Sequence, residues 1–157
     1  TAGGYPTWIP YCEDVVFDHA LAKIAPLALI RTPLVCWRPR PTIGAYVRQV
    51  FNYTRSEAHA CLNPARQEAR FVVYSVLVFL LALGEPMPLF LASLAGCGYV
   101  AKYARRWAIF SQSYGWTIRA AALVPLIGLV ALGDWAKMLG WLYGKFEIIT
   151  GHIKRPV

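Results

Sequence analysis

"VYSVLVFLLALGEPMPLFLASLAGCGYVAKYARR", residues 73–106, decides the fold, because a long apolar run is broken near its middle by GEPMP at residues 84–88. The arms on either side, residues 71–83 and 89–101, carry no charge. With its flanking residues, each arm reaches about 25 Å at 1.5 Å per residue, close to the roughly 30 Å hydrocarbon core of a bilayer. The segment therefore predicts helices that enter a membrane.

The break in this run distinguishes one membrane crossing from two. A single kinked helix would hold Glu85 and two prolines at mid-bilayer, where a charge is costly and each proline removes a hydrogen bond. A hairpin would place Glu85, Pro86 and Pro88 at its turn, where proline is well tolerated. Basic residues flank the run on both sides, and two basic flanks on one face require an even number of crossings. The pattern predicts a helical hairpin over about residues 68–104.

The composition of the whole chain is typical of a membrane protein. Of its 157 residues, 57% are hydrophobic and 15% are charged, and the apolar residues fill blocks. The formal net charge is +8, but Lys and Arg lie between the apolar blocks, as they do in the loops that orient membrane proteins. We therefore expect membrane lipids as partners and do not expect nucleic acid.

A second apolar block follows towards the C-terminus. Residues 120–133 form a third arm, residues 138–151 form a weaker fourth arm, and Asp134 lies in the interruption between them. The repeat predicts a second hairpin over about residues 117–151 with Asp134 at its turn. The sequence thus predicts an all-α integral membrane protein of two helical hairpins, with up to four short transmembrane or re-entrant helices.

The first part of the chain has a different pattern. Residues 1–35 are predicted to be irregular or interfacial, because Pro6 and Pro10 oppose an early helix and later prolines and charges interrupt the apolar residues. A basic amphipathic segment follows, with a helix predicted over about residues 42–60. We expect residues 36–157 to form a single helical membrane domain.

The sequence contains no motif for catalysis or cofactor binding. The three histidines lie outside the apolar arms, which disfavours paired haem ligands, and neither a glycine-rich phosphate loop nor an HExxH motif occurs. Glu85 and Asp134 have two interpretations. An intramembrane carboxylate can relay protons, but both acids lie where an apolar run stops, which favours hydrated turn residues. We therefore expect a protein that is not an enzyme and has no cofactor.

Basic residues near the ends of the apolar arms are candidates for lipid-headgroup contacts, because cations beside a bilayer attract anionic lipids. The candidates are Arg66, Arg70, Lys102, Arg105, Arg106 and Arg119. A structural phospholipid such as cardiolipin is the ligand that these residues would hold.

Small residues recur in the apolar arms. Gly96 and Gly98 lie in the second arm, and Gly128, Gly140 and Gly144 lie in the last two. Such residues let helix backbones approach closely within a bilayer. The pattern leaves two uses open, which are packing within the chain and docking to another membrane subunit.

The four cysteines form no CxxC pair, so the sequence predicts neither a zinc site nor a thioredoxin-like motif. Free thiols are the favoured interpretation. A disulfide between Cys36 and Cys61 stays open, since the sequence does not show whether their segment faces an oxidising compartment.

Four short motifs follow one another along the chain. They are Arg48 with Asn52–Tyr53, LLALGEPMPLFL with leucines resuming after Pro88, Tyr103 with Arg105–Arg106, and Gly151–His152 with Arg155–Pro156. This order, with a basic lead-in before two hydrophobic hairpins, resembles the prenylated Rab acceptor family over about residues 33–157. The resemblance implies a four-segment helical membrane protein and a role in Rab GTPase handling and vesicle traffic. The chain departs from the family pattern at residues 54–70, which intervene before the bilayer.

Two functions remain open from these patterns, and a small carrier or enzyme that uses Glu85 or Asp134 is a weaker third. The first is a non-catalytic accessory subunit of a large organellar membrane complex in the mitochondrial inner membrane, such as a respiratory complex or ATP synthase. Arginine enrichment with few acids favours it, and the first residue, Thr1, would fit cleavage of an imported precursor. The alternative is a trafficking adaptor of the endoplasmic reticulum or Golgi membrane that binds small GTPases. We adopt the first as the working hypothesis, with other membrane subunits as partners.

Overall fold

The computed structural model describes residues 3–153 apart from 27, 29–37 and 39. Over these residues the chain forms helices and no strands, which confirms the predicted all-α class. The helices are α1 (Glu13–Ala22), α2 (Ile43–His59), α3 (Pro64–Leu83), α4 (Pro86–Phe110), α5 (Trp116–Ala121) and α6 (Leu123–Ile149). Contacts divide the chain into unit 1, Thr1–Pro64 with Ala136–Val157, and unit 2, Ala65–Trp135. The division falls inside α6, so this helix contributes its first half to unit 2 and its second half to unit 1.

Unit 2 is built on the two helices that contain the opening apolar run. Gly84 and Glu85 separate α3 from α4, and Gly84 takes a positive φ of 68°, which glycine adopts without strain. Pro86 begins α4 and Pro88 lies in its first turn, where the missing amide hydrogen of proline leaves no helical bond unmade. Hydrogen bonds from both helices to Asp134 of α6 show that α3 and α4 lie side by side.

Unit 1 contains α1, α2 and the second half of α6. Helix α2 begins after Thr42, whose hydroxyl oxygen accepts a hydrogen bond from the amide of Ala45 at 3.2 Å. Helices α2 and α6 approach closely, because a Cβ at Gly140 or Gly144 would overlap a backbone carbonyl of α2. Of the two uses left open for small residues, packing within the chain therefore applies to these two glycines.

Two predictions about local structure are wrong. The segment predicted to be irregular or interfacial over residues 1–35 contains helix α1, which begins after Pro6 and Pro10 and carries acidic residues in its first turn, where they suit a helix N-terminus. The second hairpin, predicted over residues 117–151, does not form, because α6 continues through Asp134 as one helix. Partners on α3 and α4 satisfy this carboxylate, so its charge does not interrupt the helix.

The division by contacts also differs from the single domain predicted for residues 36–157, because the end of α6 packs on α2.

One stretch of the described residues is long and apolar enough to cross a membrane. It is Trp116–Ile149, which combines α5 and α6 over 34 residues and has a mean hydropathy of 1.7. The other two long helices of unit 2 carry charge near one end. Helix α3 has Arg66, Glu68 and Arg70 in its first two turns, and three basic residues lie in the last third of α4. The described residues thus contain one candidate span where the sequence predicts up to four.

Some predicted features lie outside the described residues. Cys36, one half of the disulfide left open above, is among them, as is Arg155–Pro156 of the family resemblance. Within the described part, Cys12, Cys61 and Cys97 are free thiols.

Candidate functional sites

The large apolar side chains of α3, α4 and α6 face outward. Phe79 on α3 is 64% exposed, Phe90 on α4 is 62% exposed, and Val124 on α6 is 76% exposed. Most other large apolar side chains of these helices are exposed as well. Soluble monomers rarely expose contiguous apolar surface beyond a few hundred Å². Exposed apolar patches of this kind often mark surfaces that contact a membrane or another protein.

A buried acidic cluster connects the three long helices of unit 2. Asp134, on α6, is fully buried and accepts hydrogen bonds from the hydroxyl groups of Tyr74 on α3, at 3.3 Å, and Tyr99 on α4. The Nε of Arg70 lies 3.4 Å from the second carboxylate oxygen, and the same guanidinium donates to Gln67. Removing a charge from water is unfavourable unless it is paired and hydrogen-bonded, and this carboxylate has both kinds of partner.

These contacts correct the interpretation of one predicted site residue and locate another. Asp134 is not a hydrated turn residue, because it is buried among side chains of α3 and α4. Glu85 is exposed between α3 and α4, where it is the N-cap residue of α4. A negative charge there interacts favourably with the positive end of the helix dipole. The two acids that the sequence treats alike therefore differ in environment.

A second buried carboxylate lies in unit 1. Glu147 is 8% exposed and forms a two-point ion pair with Arg55 of α2, at 2.6 Å from Nε and 2.5 Å from Nη2. The Nε2 of buried His59 lies 3.0 Å from the same carboxylate. The hydrogen bond with Glu147 raises the pKa of the Arg55 guanidinium above its usual value, so this side chain stays charged. The guanidinium also lies over the ring of Tyr143 at 5.2 Å from the centroid.

Sequence reasoning missed the cluster of Arg55, His59 and Glu147, because the ion-pair partners lie far apart in the chain. One signal could have indicated it. Gly140, Gly144 and Glu147 share one face of α6 by their spacing of four and three residues. A charge on the same face as a close-packing glycine pair must lie near the helix that packs there.

An apolar groove lies in unit 2 and has a volume of about 390 Å³. Its walls are formed by apolar residues of α3 from Val72 to Leu80, of α4 from Ala92 to Val100, and of α6 at Ile127, Val130 and Ala131. Tyr74 and Tyr99 line it near the end where the Asp134 cluster lies. The sequence did not predict this groove, because its three walls come from separate helices.

Five of the six predicted headgroup contacts lie where the hairpin begins and where it ends, near the start of α3 and towards the end of α4. Arg66 and Arg70 begin α3, and Lys102, Arg105 and Arg106 lie towards the end of α4. Because α3 and α4 form a hairpin, these two ends lie on the side of unit 2 away from the Gly84–Glu85 connection. The exposed residues among them include Lys102, whose Nζ lies 4.6 Å from the ring centroid of Tyr99.

The sixth candidate, Arg119 of α5, donates from Nη2 to the backbone oxygen of Ala108 at 3.2 Å. Its own backbone oxygen accepts from the indole nitrogen of Trp107 at 3.0 Å. Arg119 therefore joins α5 to the end of α4, and it remains part of the same basic region of unit 2.

A cavity in unit 1, lined by both polar and apolar groups, lies between the start of α1 and the face of α2, with a volume of about 1030 Å³. Its lining includes Cys12, whose thiol lies 3.5 Å from the backbone oxygen of Tyr53. Burial, and after it the charge of Glu57 and of two acidic residues of α1, raises the pKa of this thiol from 9.0 to about 12. A thiol that stays protonated at neutral pH is a poor nucleophile, so Cys12 is not a candidate for covalent catalysis.

The described residues contain no group of three or more His, Cys, Asp or Glu side chains placed to hold a metal ion. In comparisons with known proteins, no protein-family model, no curated protein and no solved structure shows a significant match to the chain. The resemblance to the prenylated Rab acceptor family stays a prediction.

Proposed function

We propose that the chain is an integral membrane protein and a non-catalytic structural subunit of a large organellar membrane complex. One observation carries this proposal. Only 6% of the most apolar window of Trp116–Ile149 is buried inside the protein. The core helix of a soluble protein is instead mostly buried by its own chain. An outward-facing apolar helix of this length suits a bilayer or a partner within one.

The hairpin of α3 and α4 supports the same proposal. Its apolar side chains face outward along both helices, and its charged residues are confined to the end away from Gly84–Glu85, apart from Glu85 itself. This distribution suits a hairpin that dips into or crosses a bilayer with its basic end at the headgroups. Lipid and other subunits would then cover the exposed apolar faces.

The buried charges favour a structural role. Asp134 and Glu147 are each satisfied by side chains of neighbouring helices within their own unit. Their contacts hold helices together and leave neither carboxylate facing the apolar groove or the solvent. This is the arrangement that a helical subunit needs in order to bury a charge.

The mitochondrial inner membrane is the location that we propose for the complex. The support is compositional: 16 Lys and Arg stand against eight Asp and Glu, and the basic residues flank the apolar arms. We propose other membrane subunits and phospholipids as the partners.

Fractionation of cells that express the tagged full chain tests the proposal. We expect the protein to resist alkaline carbonate extraction and to migrate, in a mild detergent, with an assembly far larger than 17.5 kDa. Release into the carbonate supernatant would contradict membrane insertion. A monodisperse monomer in the endomembrane fraction would contradict the subunit role and support the trafficking adaptor.

A further inference from the structure

We propose that the apolar groove of unit 2 binds one acyl chain of an anionic phospholipid, whose phosphate is held by Lys102 and the neighbouring cations of α4. The inference rests on the proposed membrane location and adds a defined lipid site to it. It assigns the groove a ligand of one chemical class.

The lining of the groove selects an apolar ligand. Aliphatic side chains of α3, α4 and α6 form its walls, and two tyrosines are the polar residues among them. The hydroxyl groups of Tyr74 and Tyr99 already donate to Asp134. A ligand that needed hydrogen bonds within the groove would lose its contacts with water and find poor replacements there.

The dimensions of the groove suit a chain and exclude a helix. Its volume of about 390 Å³ lies within the range of roughly 300–1,000 Å³ for small-molecule sites. Along α3 it extends from Val72 to Leu80, which is about 12 Å at 1.5 Å per residue. A partner helix is about 10 Å across with its side chains, so about 12 Å of its length would occupy roughly 900 Å³ and would not fit. The slot is open at Gly96, where an added Cβ would meet no atom within 4 Å.

The charges at one end of the groove select an anionic headgroup. Tyr99 lines the groove, and the Nζ of Lys102 lies 4.6 Å from the ring centroid of Tyr99 and 4.8 Å from that of Tyr103. Arg105 and Arg106 follow within one turn and are exposed. Asp134, which accepts a hydrogen bond from Tyr99, is opposed by Arg70. An exposed lysine beside the mouth of an apolar slot favours a phosphate over a neutral headgroup.

The two parts of the site can be tested separately on the purified full chain by native mass spectrometry. The protein is titrated with phosphatidylglycerol or with phosphatidylcholine of the same acyl chains. We expect the wild-type protein to retain one phosphatidylglycerol molecule and to bind phosphatidylcholine more weakly. Gly96→Leu fills the groove and should weaken phosphatidylglycerol binding about tenfold. Its matched control, Gly98→Leu, lies two residues away in α4, outside the groove lining, and should bind as the wild type does.

The headgroup contact has its own pair of variants. Lys102→Gln should reduce the preference for phosphatidylglycerol over phosphatidylcholine about fivefold. Lys145→Gln is the matched control, because Lys145 also lies over an aromatic ring, that of Trp141 in unit 1, but not beside the groove. Both glycine variants replace glycine in a helix by a better helix former, so circular dichroism should show both folded.

Equal binding by the wild type and Gly96→Leu would overturn the proposed site, and so would equal affinity for the two lipids. Because the titration uses purified protein, its outcome does not depend on carbonate extraction. A protein that resists extraction but fails the titration keeps the proposed function and loses the groove site. A protein that binds the lipid but is released by carbonate keeps the site and loses the membrane-subunit role.

Discussion

Unit 1 and unit 2 both bury an acid of α6, but they pack around it differently. In unit 1, Glu147 forms a two-point ion pair with Arg55, and two glycines bring α6 into backbone contact with α2. In unit 2, Asp134 is held by two phenols and a more distant guanidinium, and an open groove lies beside the cluster. The comparison indicates that close backbone packing and strong pairing go together around Glu147 in unit 1. Weaker pairing and open space go together in unit 2.

Breaking the ion pair of unit 1 should have the largest effect on stability. Arg55→Met leaves the carboxylate of Glu147 buried without its guanidinium, and removing one partner of a buried pair costs roughly 3–5 kcal/mol. The side chain of Arg55 is 28% exposed, so we expect a loss nearer about 2–3 kcal/mol in the free energy of unfolding. Denaturant titration in mild detergent, followed by tryptophan fluorescence, measures it.

Arg48→Met on the same helix is the control, because Arg48 is exposed, and it should change stability by less than about 0.5 kcal/mol. Adding Glu147→Gln to Arg55→Met should recover part of the loss, since the unpaired charge is then gone. An equal loss in Arg48→Met and Arg55→Met would show that the ion pair contributes no specific stability.

The glycine contact of unit 1 should show the next largest effect. Gly144→Ala places a Cβ against the backbone oxygen of Arg55, and overpacking of this kind costs about 1–3 kcal/mol. Gly128→Ala, in the part of α6 that belongs to unit 2, meets nothing within 4 Å and should stabilise the helix by about 0.5–1 kcal/mol. Changes of opposite sign in the free energy of unfolding would support the difference in helix packing between the two units. A stabilising Gly144→Ala would contradict close packing of α6 against α2.

Removing one donor from the Asp134 cluster should have a smaller effect. Tyr99→Phe deletes a hydrogen bond to a buried carboxylate, and we expect a loss of about 1.5 kcal/mol. Tyr74→Phe removes a bond of 3.3 Å and should cost less, about 0.5–1 kcal/mol. Tyr114→Phe, at an exposed position of unit 2, is the control and should have no measurable effect in the same unfolding titration. A larger loss for Tyr74→Phe than for Tyr99→Phe would contradict the expectation that the hydrogen bond from Tyr99 contributes more to stability.

The thiol of Cys12 should react slowly without any large effect on stability. Burial and nearby carboxylates raise its pKa from 9.0 to about 12, so its thiolate is scarce at pH 8. Iodoacetamide should modify exposed Cys61 before Cys12, as peptide mass spectrometry would show, and modification of Cys12 should increase only as the pH approaches 12. The folded state favours the protonated thiol, so this contribution to stability is complete below pH 9 and is lost as the pH rises towards 12. Equal rates for the two thiols at pH 8 would contradict the burial of Cys12.

The sequence predicted α3 and α4 of unit 2 well, because the features that define these helices lie within one stretch of the chain. The apolar arms, the GEPMP break and the proline at the start of α4 correspond to α3, the Gly84–Glu85 connection and α4. The rule failed at Asp134, where a charge at the end of an apolar run predicted a turn. A charge can stay within an apolar helix when partners satisfy it, and the partners of Asp134 include Tyr74 and Tyr99, 60 and 35 residues away in the chain.

The sequence by itself determined the all-α class, the apolar character of the helices and the separation of basic from apolar segments, because these depend on periodicity and composition within one segment. Only the tertiary structure decided that α6 is continuous, that Arg55 and His59 meet Glu147, and that three helices enclose a groove beside Lys102. The physical reason is that a buried charge and an open slot are properties of several helices at once. Their stability depends on partners that no single stretch of sequence contains.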